Sequence, residues 1–422
     1  MDVSRSDQEA YLSYAQNMYE TGYNLVGGRN RMPAFSFLLS LLYSPELTQN
    51  QFFARSKDFN IVATAALLPG LFWLFRRTLP FLLSVNLWLI TTFTVLIFKA
   101  GYAQAELLFY FLSFFGFFLM LRMLQQPSWK LGLLTGIVLG LAHLTKASVL
   151  PGFLLFVLAF VAQSGYSAVT QWRFSSQRIA AKLEQIKKEN ISRLLSLVLA
   201  AVAFLGVIYP YISTSRQYFG HYFYNVNSTF YMWYDSWEEA EAGTRKYGDG
   251  KGYPEMPSHL IPSPQKYLRE HSSSEILSRF KRGIDRVILV ASKSYGYFKY
   301  ILLFGAIALL LSAVHWRTTL AIVKRHFFLI SFCLSYFVAY LLIYAWYTPV
   351  ASGNRFTLAL FMPLLFFLGT IVHTQHRHHP FISLGSLKLK WFYLFNFVTL
   401  GMILFELHPI LSDRILTTFG GS

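Results

Sequence analysis

The chain opens on a polar stretch, residues 1–31, and then becomes almost continuously apolar. Ten apolar runs stand out, near 60–76, 80–98, 104–122, 131–145, 149–164, 194–213, 298–315, 327–345, 356–373 and 391–408. Within each run apolar residues fall on every face of a helix rather than in one stripe, which suits a lipid surrounding. At about 1.5 Å of rise per residue such runs are of the length that crosses a hydrocarbon core of about 30 Å. The pattern therefore predicts an all-α polytopic membrane protein of about ten transmembrane helices, a single domain over 1–422. Residues 33–44 are apolar but too short to cross, and are expected to lie at the interface as an amphipathic helix. Two intervals are unlike the short turns elsewhere. Residues 165–193 read as a basic amphipathic helix resting on lipid headgroups. Residues 214–297, rich in Tyr, Trp, Gly and Pro, read as a small folded cap.

Loop charge supplies the orientation. The connectors 76–80, 121–130, 165–193, 315–326 and 373–390 hold 2, 2, 6, 3 and 3 Lys or Arg, against only Glu184 and Glu189. By the positive-inside rule these five face the cytoplasm. The segment 1–58, the turns after Lys99, Lys146 and Trp346, and the cap then share the outer face. No apolar leader precedes this acidic outer segment, so a first transmembrane helix is expected to be missing from the front of the chain.

Composition agrees: 54% of residues are hydrophobic and 14% charged. The one cysteine, Cys333, lies inside an apolar run, which excludes a disulfide framework and a cysteine metal site. A net charge of +17 could suit nucleic acid, but orientation accounts for cations placed in short loops, and no nucleic-acid partner is expected.

The candidate chemistry gathers on the outer face. Asp7 opens the polar segment, ionised and able to accept a proton from a hydroxyl. Tyr11, Tyr14 and Ala15 follow at helical spacing, and Arg29, Arg31 and Pro33 lead into the interfacial helix. Glu106 sits where a helix emerges, an expensive place for a carboxylate unless it faces a cavity or a partner. Lys99, Lys146 and Arg355 stand in outer turns where the charge rule predicts few cations, and would suit a phosphate. In the cap, Asp235 and Trp237 belong to an aromatic and acidic cluster of the kind that holds a sugar, although aromatic residues also serve as plain interfacial anchors. His373, His376, His378 and His379 fall in a cytoplasmic loop, away from the rest, and read as part of a basic loop rather than as a zinc site.

Asp7-Gln8-x-x-Tyr11-x-x-x-Ala15, Arg31-Met32-Pro33, Gly101 to Glu106, Gly136 to Lys146 and Gly353-Asn354-Arg355-Phe356 together resemble, in order and on a common face, the polyprenyl-phosphate-sugar-dependent glycosyltransferases of the GT-C superfamily, the group of protein O-mannosyltransferases and aminoarabinose transferases. Gln8 stands where that family carries a second acid. The resemblance implies an inverting transfer from a polyprenyl-phosphate sugar donor to a lipid, glycan or protein acceptor. Asp7 would act as base and Glu106 as the second acidic position, with Tyr11, Arg29, Arg31, Lys146, Arg355, Asp235 and Trp237 binding substrate. No cofactor is implied, since cations take the part of a metal; a divalent ion held by Asp7 and Glu106 is the alternative version. A bacterial plasma membrane, with the site facing the periplasm or exterior, is the expected location, with the endoplasmic reticulum as its alternative. Two other readings are an O-antigen ligase or polymerase, which also carries a large outer loop, and a lipid-linked-sugar transporter, which would show repeated halves and midplane charges.

Overall fold

The computed structural model describes residues 7–24, 27–173, 179–250, 252–294, 296–384 and 387–415. It is all-helical apart from one hairpin, β1 (Ile382–Leu384) against β2 (Leu387–Leu389). Two short helices lead, α1 (Gln8–Glu20) and α2 (Pro33–Ser40), the second placed where an interfacial helix is expected. α3 (Gln49–Arg76) follows. It starts well before the apolar run at 60 because Thr48 and Gln51 form a reciprocal capping box, so its first turns are polar yet helical.

α4 (Phe81–Thr91) passes through a π-helical turn, Thr92–Leu96, into α5 (Ile97–Ala100), and the three act as one span. Then come α6 (Glu106–Gln125), α7 (Trp129–Thr145), α8 (Leu150–Arg173) and α9 (Ile179–Phe219). α9 carries the basic end of the 165–193 interval and the next apolar run as one continuous helix. The side chains expected to rest on headgroups lie outside the described residues.

The cap contains α10 (Val226–Thr229), α11 (Trp237–Ala240), α12 (Pro264–Glu270) and the strongly amphipathic α13 (Ser273–Lys293). α14 (Tyr297–Val314), α15 (Trp316–Arg325), α16 (Phe327–Tyr347), α17 (Asn354–His378) and α18 (Trp391–Pro409) complete the chain. Among the described residues nine helices are long and apolar enough to cross a membrane, and α7, with 17 residues, is a shorter apolar tenth. The ten correspond one to one with the ten apolar runs. The protein is an integral, multi-pass membrane protein.

Two contacts decide how the spans sit. On α7, Gly132, Gly136 and Gly140 face α9 so closely that a Cβ at any of them would collide with Ser196, Ala200 or Val207. This is the small-residue stripe that lets helices approach in lipid, where no hydrophobic effect drives them together. Phe75, Phe114 and Phe366 bring α3, α6 and α17 into one aromatic core, with Phe114 and Phe366 ring centroids 5.6 Å apart. The buried Asn86 amide donates to the Asn396 side chain at 3.0 Å and to the Asn396 carbonyl at 2.9 Å, which ties α4 to α18.

The first loop has its own small core. Tyr11 meets Phe35 edge to face at 5.4 Å, and Leu12, Ala15, Phe52, Phe53, Ala103 and Ala105 close around them. The Gln8 side chain accepts from Ala103 N at 2.9 Å, which ties α1 to the turn before α6. From the other side, Val226 N donates to Arg29 O at 3.1 Å and the Asn227 amide donates to Asn30 O at 3.2 Å. Gly28 lies against the Gly250 carbonyl with no room for a side chain. The segment 27–31 is thus held between the cap and the helical body.

Candidate active site

Asp7 stands at the N-cap of α1, a position that favours aspartate because its side chain can accept from the first free amides. It makes no such bond. Its Oδ1 instead accepts from Arg31 Nη2 at 2.7 Å, and its Oδ2 from Arg355 Nη1. Arg355 enters at the second residue of α17, where the helix dipole disfavours a cation, so the Asp7 carboxylate offsets a placement that would otherwise cost energy. The backbone carbonyl of Arg355 accepts from the Tyr110 hydroxyl at 2.8 Å, which fixes this end of α17 to α6.

The second pair lies beside the first. Glu106 is the first residue of α6, and Lys146 follows the last residue of α7. Each sits at the helix end whose dipole suits its charge. Lys146 Nζ donates to Glu106 Oε1 at 2.9 Å. Only 3% of the Glu106 side chain is exposed, and its Oε2 is buried with no hydrogen-bond partner. Arg355 and Lys99 act on Glu106 from further away, while Lys146 acts on Asp7, so the two carboxylates and their cations form one electrostatic unit.

Burial by itself would raise the proton affinity of Asp7, but the charges of Arg31, Arg355 and Lys146 outweigh it and hold the carboxyl below the usual aspartate value of 3.8. Tyr11 is buried against this unit, and burial keeps its phenol protonated far above the ordinary range. Arg31 and Asp7 keep about a quarter of their side-chain surface exposed, at 26% and 27%, and Arg355 keeps 35%. A ligand can therefore reach the cluster.

The structure brings Asp7, Tyr11, Arg31, Glu106, Lys146 and Arg355 together from four separate parts of the chain. Arg29 is turned elsewhere. Its Nε donates to Ser215 at 2.9 Å, its Nη2 to Thr214 at 2.8 Å and its Nη1 to Gly27 O at 3.2 Å, and its guanidinium lies 4.2 Å from the centre of the Tyr211 ring. It clamps the first loop to the end of α9.

Asp235 belongs to a different cluster. It accepts from Tyr267 at 2.8 Å and from Arg279 at 2.7 Å, and pairs with His271 at 2.8 Å. Trp237 packs edge-on against Tyr231, with Arg245 over its face. Sequence reasoning passed over Gln8 as a supporting residue, and Tyr110 and Arg279 altogether; a buried tyrosine or arginine gives no local signal of its distant partner.

Among the described residues no group of three or more His, Cys, Asp or Glu is placed to hold a metal ion. Comparison with family models, with curated protein sequences and with solved structures yields no match to this chain.

Proposed function

We propose that the protein is a membrane glycosyltransferase that moves a sugar from a polyprenyl-phosphate donor to an acceptor hydroxyl on the extracytoplasmic face, with inversion. The observation that carries this reading is the joining of Asp7, Arg31 and Arg355 with Glu106 and Lys146 at one end of the helical body. A reaction of this class needs one base and several cations within reach of a lipid phosphate, and this cluster has both.

In the proposed reaction the acceptor oxygen attacks the anomeric carbon while the carbon–oxygen bond to phosphate breaks. The hydroxyl proton passes to Asp7, and the electron pair leaves with the polyprenyl phosphate. Lys146, Arg31 and Arg355 offset the charge gathering on that leaving group in a site partly shielded from water. Glu106, itself buried, holds Lys146 beside the site. In the resting arrangement both Asp7 oxygens are occupied by guanidinium groups, so a donor phosphate that draws Arg355 toward itself also frees the base. Donor binding therefore precedes productive acceptor binding.

The test is Asp7→Asn in proteoliposomes supplied with a panel of polyprenyl-phosphate sugars. The expected result is loss of transfer by about 10²-fold or more, the usual worth of a positioned base, with membrane insertion retained and thermal stability lowered by the loss of the two ion pairs. Arg31→Gln, which breaks one of those pairs but keeps the base, is the control for that loss. Unimpaired transfer by that variant would remove Asp7 from the mechanism.

A further inference from the structure

The end of the molecule opposite Asp7 carries a groove of about 600 Å³ between the α3–α4 turn, the end of α17 and the start of α18. Its lining combines apolar Phe81, Leu82 and Phe392 with His373, His376 and Arg377. The His376 ring stacks on Phe392 with centroids 4.2 Å apart. The Nδ1 atoms of both histidines are buried and have no hydrogen-bond partner. Arg76 lies beside the groove rather than in its lining: its Nη1 donates to Leu79 O at 2.7 Å, and its guanidinium is 5.8 Å from the centre of the Phe81 ring.

Charge around the groove has one sign. Residues 76–80 and 373–390 contribute Arg76, Arg77, Arg377, Lys388 and Lys390 and contain no Asp or Glu. The depth of the groove is also marked. α15 is a short amphipathic helix with Trp316 and Leu320 exposed beside Arg317, Lys324 and Arg325, the pattern of a helix lying among headgroups. It docks directly on the end of α17, where His315 stacks on His379 at 3.6 Å and His379 Nε2 meets Thr318 at 3.1 Å. The groove therefore lies at headgroup level.

We propose that this groove binds the headgroup of an anionic phospholipid, its phosphate meeting Arg377 and Arg76 and its acyl chains following the apolar wall. Charge complementarity selects an anionic over a zwitterionic lipid, and the apolar wall selects a lipid over free phosphate. The site is independent of sugar transfer.

Purified protein is equilibrated with phosphatidylglycerol, phosphatidylcholine or inorganic phosphate, and retained ligand is counted by native mass spectrometry. Phosphatidylglycerol is expected to be held preferentially. Arg377→Gln should lower its retention about fivefold, since a basic side chain near an anionic headgroup is worth about 1 kcal/mol. Arg76→Gln should lower it further. Lys266→Gln removes a charge from the cap, at the other end of the molecule, and should leave retention unchanged. Equal retention of the two lipids, displacement of lipid by inorganic phosphate, or an equal loss in Lys266→Gln would each overturn the site.

Discussion

Asp7 shows how two opposed effects settle a carboxylate. Burial favours its neutral form, whereas Arg31, Arg355 and Lys146 favour the ion and win. Because the folded value is depressed, this group stabilises the fold above its ordinary pKa and loses that contribution as pH falls through the folded value. On the glycosyltransferase reading, activity should then be flat from about pH 5 to 7 on the acid side. Arg31→Gln removes the foremost lowering charge and leaves burial in place. The acid limb of kcat/KM should move to higher pH, and an unmoved limb would show that Asp7 does not govern it. Glu106 was legible in the sequence because a carboxylate beside hydrocarbon is costly and needs a partner. Lys146 and Arg355 were legible because they stand in outer turns where the charge rule predicts few cations, and Asp7 only through its place at the head of the polar segment and the family resemblance. Arg29 and Arg31 were not separable, being the same residue type two positions apart. Only the fold turns one toward Asp7 and the other into the Thr214 and Ser215 clamp.

At the scale of elements, all ten apolar runs were readable because a span must satisfy its own backbone and so forms a helix whatever its partners. What the runs could not reveal was which helices meet. The Gly132, Gly136, Gly140 stripe counts merely as weakly apolar in a hydropathy reading, yet it sets the approach of α7 to α9. Gly136→Leu is expected to destabilise the protein by at least about 1–3 kcal/mol through overpacking, seen as a lower melting temperature and early aggregation in size-exclusion chromatography. Gly165→Ala, where a Cβ meets nothing within 4 Å, should be neutral or stabilising; equal damage from both would remove the stripe from the packing account.

The cap carries a second titrating device. His271 Nδ1 faces the Tyr267 carbonyl at 2.9 Å and its Nε2 faces the Asp235 carboxylate at 2.8 Å. Both partners are acceptors, so the arrangement favours the doubly protonated ring, in which both nitrogens donate. Burial works against this form, but the Tyr267 carbonyl, Asp235 and Glu275 outweigh it and raise the His271 pKa above 6.5. A raised value means the contribution is full below the ordinary histidine pKa and fades as pH rises through the folded one. Arg279 carries the same Asp235 to the Trp346 carbonyl. Fluorescence from Trp233 and Trp346, whose rings lie 5.8 Å apart, should therefore change on raising pH past neutrality. His271→Ala should abolish that change, and its persistence would place the titration elsewhere.

For the whole molecule, the uneven distribution of charge predicts which end faces the cytoplasm. Cys333 is fully buried and gives a silent background for labelling. A cysteine introduced as Glu238→Cys in the cap should react with an impermeant maleimide on intact cells, whereas Gln126→Cys in the exposed α6–α7 turn should react only after permeabilisation. The reverse pattern would overturn the orientation. The sequence marked residues 214–297 as a cap but not its attachment, because the bonds from Val226 and Asn227 to Arg29 and Asn30 join positions nearly two hundred residues apart.

The Gln8 amide has a mechanical consequence. It rivets α1 to Ala103, three residues before Glu106, while Asp7 is the neighbour of Gln8 on the other side. The two acids are thus mounted on the ends of one short strut, which the packing of α1 on Ala103 and Ala105 stiffens. A tremor of the first loop must carry both carboxylates along or snap the rivet, so the spacing between them is fixed in advance of any encounter.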